Sequence, residues 1–277
     1  MENGFEDERT SIHFYVLTSN ANELRRILSE TDQDINLGRV SSDGTPSTPL
    51  QLAIRTGRFS MAEILLRYHA SIDLVTPWEQ DTLLNHCVSA PFHHDYYMTP
   101  QKRLDLVSLL LRYNANTEHK NSRGMTPLRT AAKYRDLAKV SEMLIRHRSD
   151  INTQDNAGVT PLMQSVLEGH LAQFDVLLTH GADVFLQDIH GATVLDMVEH
   201  QEHYDIFGEV SDTMRNRINI ARTRKELNDN IDKCVQLAMW RKREASPLHK
   251  LLPENIDHIA NAACEDLRAM LKALKDL

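Results

Sequence analysis

Thr160-Pro161-Leu162-Met163-Gln164-Ser165-Val166-Leu167-Glu168-Gly169-His170, followed by Val176-Leu177-Leu178 and Gly181-Ala182-Asp183-Val184, is the stretch on which the reading of this chain turns. A threonine at an N-cap accepts a bond from an orphan backbone N–H, a proline at the first helical position loses nothing by lacking a donor, and Leu162 opens a buried face. Gly169 falls where two helices must part, and Gly181 where the second one ends, positions that want a positive φ or close backbone approach. The stretch therefore predicts two short helices folded against each other.

The same phrase recurs along the chain, as Thr48-Pro49-Leu50 and Thr126-Pro127-Leu128, with looser copies at Thr82-Leu83-Leu84 and Thr193-Val194-Leu195. Successive threonines lie 34, 44, 34 and 33 residues apart. Removing an insertion of about 11 residues leaves a period of about 33. A second phrase keeps the same step: Asp34-Ile35-Asn36, Ala70-Ser71-Ile72-Asp73, Asn114-Ala115-Asn116, Ser149-Asp150-Ile151-Asn152 and Gly181-Ala182-Asp183-Val184. Apolar helical steps such as Ile64-Leu65-Leu66, Leu109-Leu110-Leu111 and Met143-Leu144-Ile145 lead into it.

On these two phrases the chain resembles the ankyrin-repeat family. The resemblance implies an all-α solenoid of stacked helix pairs that binds another protein through its concave face, formed by turn tips and first helices. Carried onto this sequence, the tip candidates are Asn121, Ser122, Arg123 and Met125, then Gln154, Asn156 and Val159, then Gln187, Ile189 and His190. Their helix-one neighbours are Arg55, Lys133, Tyr134, Arg135, Leu167 and Glu168. Tyr134 and Arg135, flanked by Arg123 and Arg129, are the expected hot spot, since aromatic and arginine side chains dominate interface energetics. The chain departs from the family at the histidine that usually follows Thr-Pro-Leu, which is Gln51, Asn85, Arg129, Met163 or Asp196. The regular Thr–His lattice is therefore missing, which bears on the stiffness of the stack. His69 and Arg148 stand where a glycine is preferred, and those repeats are expected to be strained or capped differently.

The layout follows. Residues 1–8 are an acidic tail, 9–204 the repeat domain, and 205–277 a helical module. Residues 9–38 read as a degenerate first repeat with Ile12, Tyr15 and Val16 on helix one and Leu24, Ile27 and Leu28 on helix two; a polar, charge-bearing outer face would make it the N-terminal cap. Repeats follow at about 47–79, 80–122, 125–157 and 159–190, and a sixth starts at Ala192 and degenerates after Glu199, giving five to six in all. The insertion, about 90–103, concentrates Phe92, His93, His94, Tyr96 and Tyr97; Phe92, Tyr96 and Tyr97 either anchor the loop or touch a partner. Phe207, Val210, Met214 and Ile218, then Leu227, Ile231, Val235 and Ala238, predict two helices, and Pro253 starts a third.

Composition excludes several classes. The chain carries 31 Lys+Arg against 39 Asp+Glu, so the net charge is −8. The acidic excess lies in residues 1–210, whereas 211–250 hold 10 basic against 5 acidic residues. Because acids interrupt Arg215, Arg217, Arg222, Arg224, Lys225, Arg241, Lys242 and Arg243, that segment reads as a solvated helix surface, and nucleic acid is not the expected partner. No apolar run approaches a membrane span and no signal peptide is visible. Cys87, Cys234 and Cys264 form neither a disulfide framework nor a zinc signature, so a reducing, cytoplasmic location is expected. His93-His94-Asp95 lacks the further ligands of a metal site. No nucleophile elbow, phosphate loop or paired carboxylates appear, so neither metal, cofactor nor catalysis is expected.

The leading function is thus a protein-binding scaffold; the irregular repeats suit a microbial or viral effector in a host cell. Two alternatives stand beside it. Leu252-Pro253-Glu254-Asn255-Ile256-Asp257-His258-Ile259 resembles the opening of an F-box, a combination with ankyrin arrays known among poxvirus proteins, and would make the chain a ubiquitin-ligase substrate adaptor binding the ligase linker protein. An enzyme whose site converges from distant residues is the other.

Overall fold

The computed structural model describes residues 11–31, 33–40, 46–76, 80–89, 99–203 and 209–242. The Thr-Pro-Leu phrase starts helices as its chemistry requires. Thr48, Thr126 and Thr160 are extended, with ψ between 162 and 165°, and each side chain accepts from the backbone N–H three residues on at 3.2–3.3 Å. The helices that follow are α3 (Pro49–Arg55), α7 (Pro127–Ala131) and α9 (Pro161–Leu167), with α1 (Ile12–Thr18) and α5 (Leu83–Ser89) as their counterparts. Each turns back into a second helix: α2 (Ala21–Glu30), α4 (Phe59–Arg67), α6 (Pro100–Arg112), α8 (Ala138–Arg146) and α10 (Leu171–Thr179). α11 (Val194–His203) continues the series, and the helix runs past Glu199, where the sequence pattern fades.

The pairs are layers of one stack. First helices pack on first helices (α1 on α3, α5 on α7, α7 on α9, α9 on α11) and second on second (α2 on α4, α6 on α8, α8 on α10). Leu50, Leu65, Leu84, Leu110, Leu128, Leu144, Leu162 and Phe174 are fully buried between layers, and this apolar burial is the main driving force of a solenoid. Of the apolar residues read on the first layer's two helices, Ile12, Val16, Leu24 and Ile27 are buried, and Tyr15 and Leu28 are half-buried. Buried His13 places Nε2 3.0 Å from the Ser47 carbonyl, and burial lowers its pKa. Just before α3, two-residue strands β1 (Arg39–Val40) and β2 (Pro46–Ser47) pair antiparallel.

Four second helices end alike whatever residue the sequence supplies. His69, Asn114, Arg148 and Gly181 all take positive φ, at 64, 60, 67 and 88°. The next N–H in each case returns to the carbonyl five residues back, at 3.0–3.1 Å. His69 and Arg148 thus adopt the glycine conformation and carry its strain, while the capping bonds are the same as at Gly181.

Two boundaries differ from the sequence reading. Residues 100–103, assigned to the insertion, belong to α6: Thr99 accepts from Lys102 N at 3.2 Å and Pro100 is at the first helical position, so the Thr-Pro device starts a second helix here. α6 has 13 residues where α4, α8 and α10 have nine, one extra turn. Beyond the stack, the two predicted helices are one, α12 (Glu209–Lys242), 34 residues without a Pro or Gly to interrupt it. The chain divides into two units between Ser211 and Asp212, within α12, and Met214 and Ile218, on the described part of the second, are buried one turn apart.

Candidate protein-binding surface

Three turn tips project between layers and share one construction. At each, an Asx side chain accepts two backbone N–H groups: Asn121 Oδ1 from Arg123 and Met125 (both 3.0 Å), Asp155 Oδ1 from Ala157 and Val159 (both 2.9 Å), and Asp188 Oδ1 from His190 and Ala192 (2.8 and 2.9 Å). A glycine three residues on, Gly124, Gly158 or Gly191, supplies the positive φ of 75, 74 or 81°. The tips are also bonded to one another, Asn156 N to Arg123 O and Ile189 N to Ala157 O, both 3.1 Å. At Gly124 a Cβ would lie 2.7 Å from Asn156 N, and at Gly158 2.8 Å from Ile189 N, so these two glycines are needed for space as well as for φ.

The missing Thr–His lattice has replacements. Gln51 closes a reciprocal cap with Thr48, Oε1 accepting from Thr48 N at 2.9 Å, and Asp196 accepts from both Thr193 N and Oγ1 at 2.7 and 2.6 Å. Asn85 and Arg129 reach the next layer: Asn85 Nδ2 donates to the His119 and Met125 carbonyls, and Arg129 donates to Val159 O at 3.2 Å and to Asp155 Oδ2 at 2.7 Å. A second ladder runs along the base of the stack. Asn36 accepts from Ser71 N (2.7 Å), Asp73 from Asn116 N (2.9 Å), Glu118 from Asp150 N (3.0 Å), and Asn152 from Asp183 N (2.8 Å). Besides the bond between His13 and the Ser47 carbonyl ahead of the second layer, neighbouring layers are therefore tied through these side chains, none of them histidine.

Layer four, α7 and α8, concentrates arginine. The Arg129–Asp155 ion pair is buried on both sides, and Arg129 Nη1 is buried with no hydrogen-bond partner. Burial lowers the Arg129 pKa, opposed by Asp155 and then Glu168. Half-buried Tyr134 donates its hydroxyl to the Ser89 carbonyl of layer three. Burial raises its pKa, and Arg103 and Arg123 lie close enough to pull it back down. Burial likewise lowers the Arg103 pKa and pushes the Cys87 thiol up to about 12, so that thiol stays protonated. Fully buried Gln173 accepts from Ser141 Oγ at 2.7 Å and donates to the Ala131 and Tyr134 carbonyls at 2.9 and 2.8 Å, holding the α7–α8 connection against α10.

The residues singled out from sequence fall into two groups. Arg123, Lys133, Arg135, Asn156, Leu167, Gln187, Ile189 and His190 are exposed. Others are half-buried and engaged internally: Tyr134 as above, Gln154 to the Gly158 and Gln187 carbonyls (both 2.7 Å), and Glu168 accepting from Gln164 (2.7 Å). Arg55 and Met125 are also half-buried. Phe92, Tyr96, Tyr97, Leu252, Pro253, Ile256 and Ile259 lie outside the described residues. Sequence reasoning missed Gln173 and the tip scaffold; the Asx-x-x-Gly spacing at 121/124, 155/158 and 188/191 is the signal that finds the latter. Among the described residues no helix is long and apolar enough to cross a membrane, and no three His, Cys, Asp or Glu converge as metal ligands.

Models of the ankyrin repeat match residues 47–77 and, as three copies, residues 96–188. The first unit of this chain is an ankyrin-repeat domain. The crystal structure of an ankyrin repeat domain from Acinetobacter baumannii AYE superposes with a TM-score of 0.60 at 21% identity, covering 76% of this chain and 96% of that one, a likeness of fold alone. In sequence the ankyrin domain is similar to the fowlpox virus (strain NVSL) ankyrin repeat protein FPV031, 28% identical over 62% of this chain and 48% of the relative. It is also similar to inversin of Canis lupus familiaris, 26% identical over 62% of this chain and 15% of that protein. The chain spans less than half the length of these relatives.

Proposed function

We propose that the ankyrin stack is a scaffold that binds another protein through the turn tips and first helices of layers four and five, with α1–α2 as the capping first repeat and α11 as the start of a sixth. The observation that carries this reading is the division of labour at the surface. Asn121, Asp155 and Asp188 use their side chains to fix the tips, while Arg123, Ile189 and His190 on the tips, and Lys133 and Arg135 in the α7–α8 connection held by Gln173, stand exposed. A preorganised frame with exposed basic and apolar side chains lowers the entropic cost of association. Ile189, with 66% of its surface open, and exposed Leu167 supply apolar contact. Likeness to a fowlpox virus protein supports the narrower reading of an effector acting in the cytoplasm of a host cell.

The test is affinity capture from host lysate with the wild type and with a Lys133→Ala/Arg135→Ala/Leu167→Ala/Ile189→Ala variant, checked for fold by circular dichroism. The expected result is a partner retained by the wild type and lost by the variant. Equal recovery of every partner by both removes this surface from the proposal.

A further inference from the structure

The sign of charge changes abruptly along the stack. Residues 99–149 hold 11 Lys+Arg against 4 Asp+Glu, whereas 150–203 hold no Lys or Arg and 9 Asp+Glu. A basic band thus sits within a domain that is acidic as a whole. Part of it is built into the fold. Arg129 is paired with Asp155 at 2.7 Å, and half-buried Tyr134 is anchored to Ser89 with Arg103 and Arg123 near it. Lys133 and Arg135 adjoin Tyr134 in the chain and are exposed.

We propose that layer four receives a short acidic segment of the partner protein, its carboxylates paired by Arg123, Lys133 and Arg135. This rests on the scaffold reading above and adds the chemistry of the guest. Length follows from geometry: packed helices are about 8–10 Å apart, which an extended chain crosses in about three residues at roughly 3.3 Å each. On the layer-five side an acidic run stops there, because residues 150–203 hold no Lys or Arg to receive it and Glu168 repels it. The same argument disfavours nucleic acid, whose phosphates continue at every step along the strand. Charge complementarity of this kind fixes register and speeds encounter.

The probe is a fluorescein-labelled Ser/Gly peptide carrying a run of about four Glu, titrated with the full chain at physiological salt and read by fluorescence polarisation. A matched peptide with Gln in place of Glu should bind at least about tenfold more weakly. Arg123→Glu/Lys133→Glu/Arg135→Glu should weaken the Glu peptide by at least about tenfold, as should the milder Arg123→Gln/Arg135→Gln should the triple variant misfold, while Arg112→Glu on α6 should leave it unchanged. Equal binding of the two peptides, insensitivity to the layer-four variants, or tighter binding of an oligothymidine of similar length through the same residues overturns the proposal. Loss of lysate partners in the variant of the preceding section, with no preference for the Glu peptide, would sink the acidic guest and leave the scaffold reading standing.

Discussion

At Gly124 and Arg148 the backbone occupies the same left-handed region, with φ of 75 and 67°, yet the two positions should respond to substitution in opposite ways. Gly124→Ala adds a Cβ against Asn156 N and breaks the tip-to-tip bond, so strain and a lost hydrogen bond together should cost about 2–4 kcal/mol. Arg148 is exposed and already pays the Cβ penalty, so Arg148→Gly should stabilise the chain by about 1 kcal/mol after the added freedom of the unfolded state is subtracted. Urea denaturation of both variants checks the pair of signs. The poor fit of Arg148 was legible from its place in the repeat. The second demand on Gly124 was not, because the atom that excludes a side chain there belongs to the next layer.

Among the elements, α7 is the short one, five residues before the chain leaves helical geometry and enters a 3-10 turn at Arg135–Leu137. Its exit is held by Gln173, a polar side chain with no surface exposed and all three of its hydrogen bonds internal. Gln173→Leu keeps the volume and removes the bonds, leaving Ser141 Oγ without its acceptor, and should cost about 2–3 kcal/mol by urea denaturation. If the connection is as dependent on Gln173 as the geometry requires, amide exchange across Ala132–Arg135 should also quicken; unchanged exchange would count against that role. Sequence periodicity assigned α10 correctly but could not mark Gln173, since a polar residue on a helix gives no sign of a partner 42 residues earlier. The same limit explains α12: weak spacing between two apolar runs looked like a break, and an uninterrupted backbone bridged it.

Across the whole molecule, stability of such a stack is close to a sum of layer and interface contributions, so the bonds between layers set how far it unfolds as one body. Asn152→Ala removes the rung that ties layer four to layer five at Asp183, and it should cost about 1 kcal/mol while lowering the urea m-value as layer five uncouples. An unchanged m-value would show that apolar burial alone maintains the coupling. The sequence by itself determined the repeat, its period and the starts of the Thr-Pro-Leu helices, because Thr-Pro caps and helical apolar spacing act within a few residues of themselves. Only the tertiary structure decided which polar residues tie the layers and which stay open to a guest. Asn85, Arg129, Gln154 and Tyr134 read as surface candidates or lost lattice points until a neighbour some 26–45 residues away supplied a bonding partner, and that choice is made by three-dimensional proximity, which local patterning does not encode.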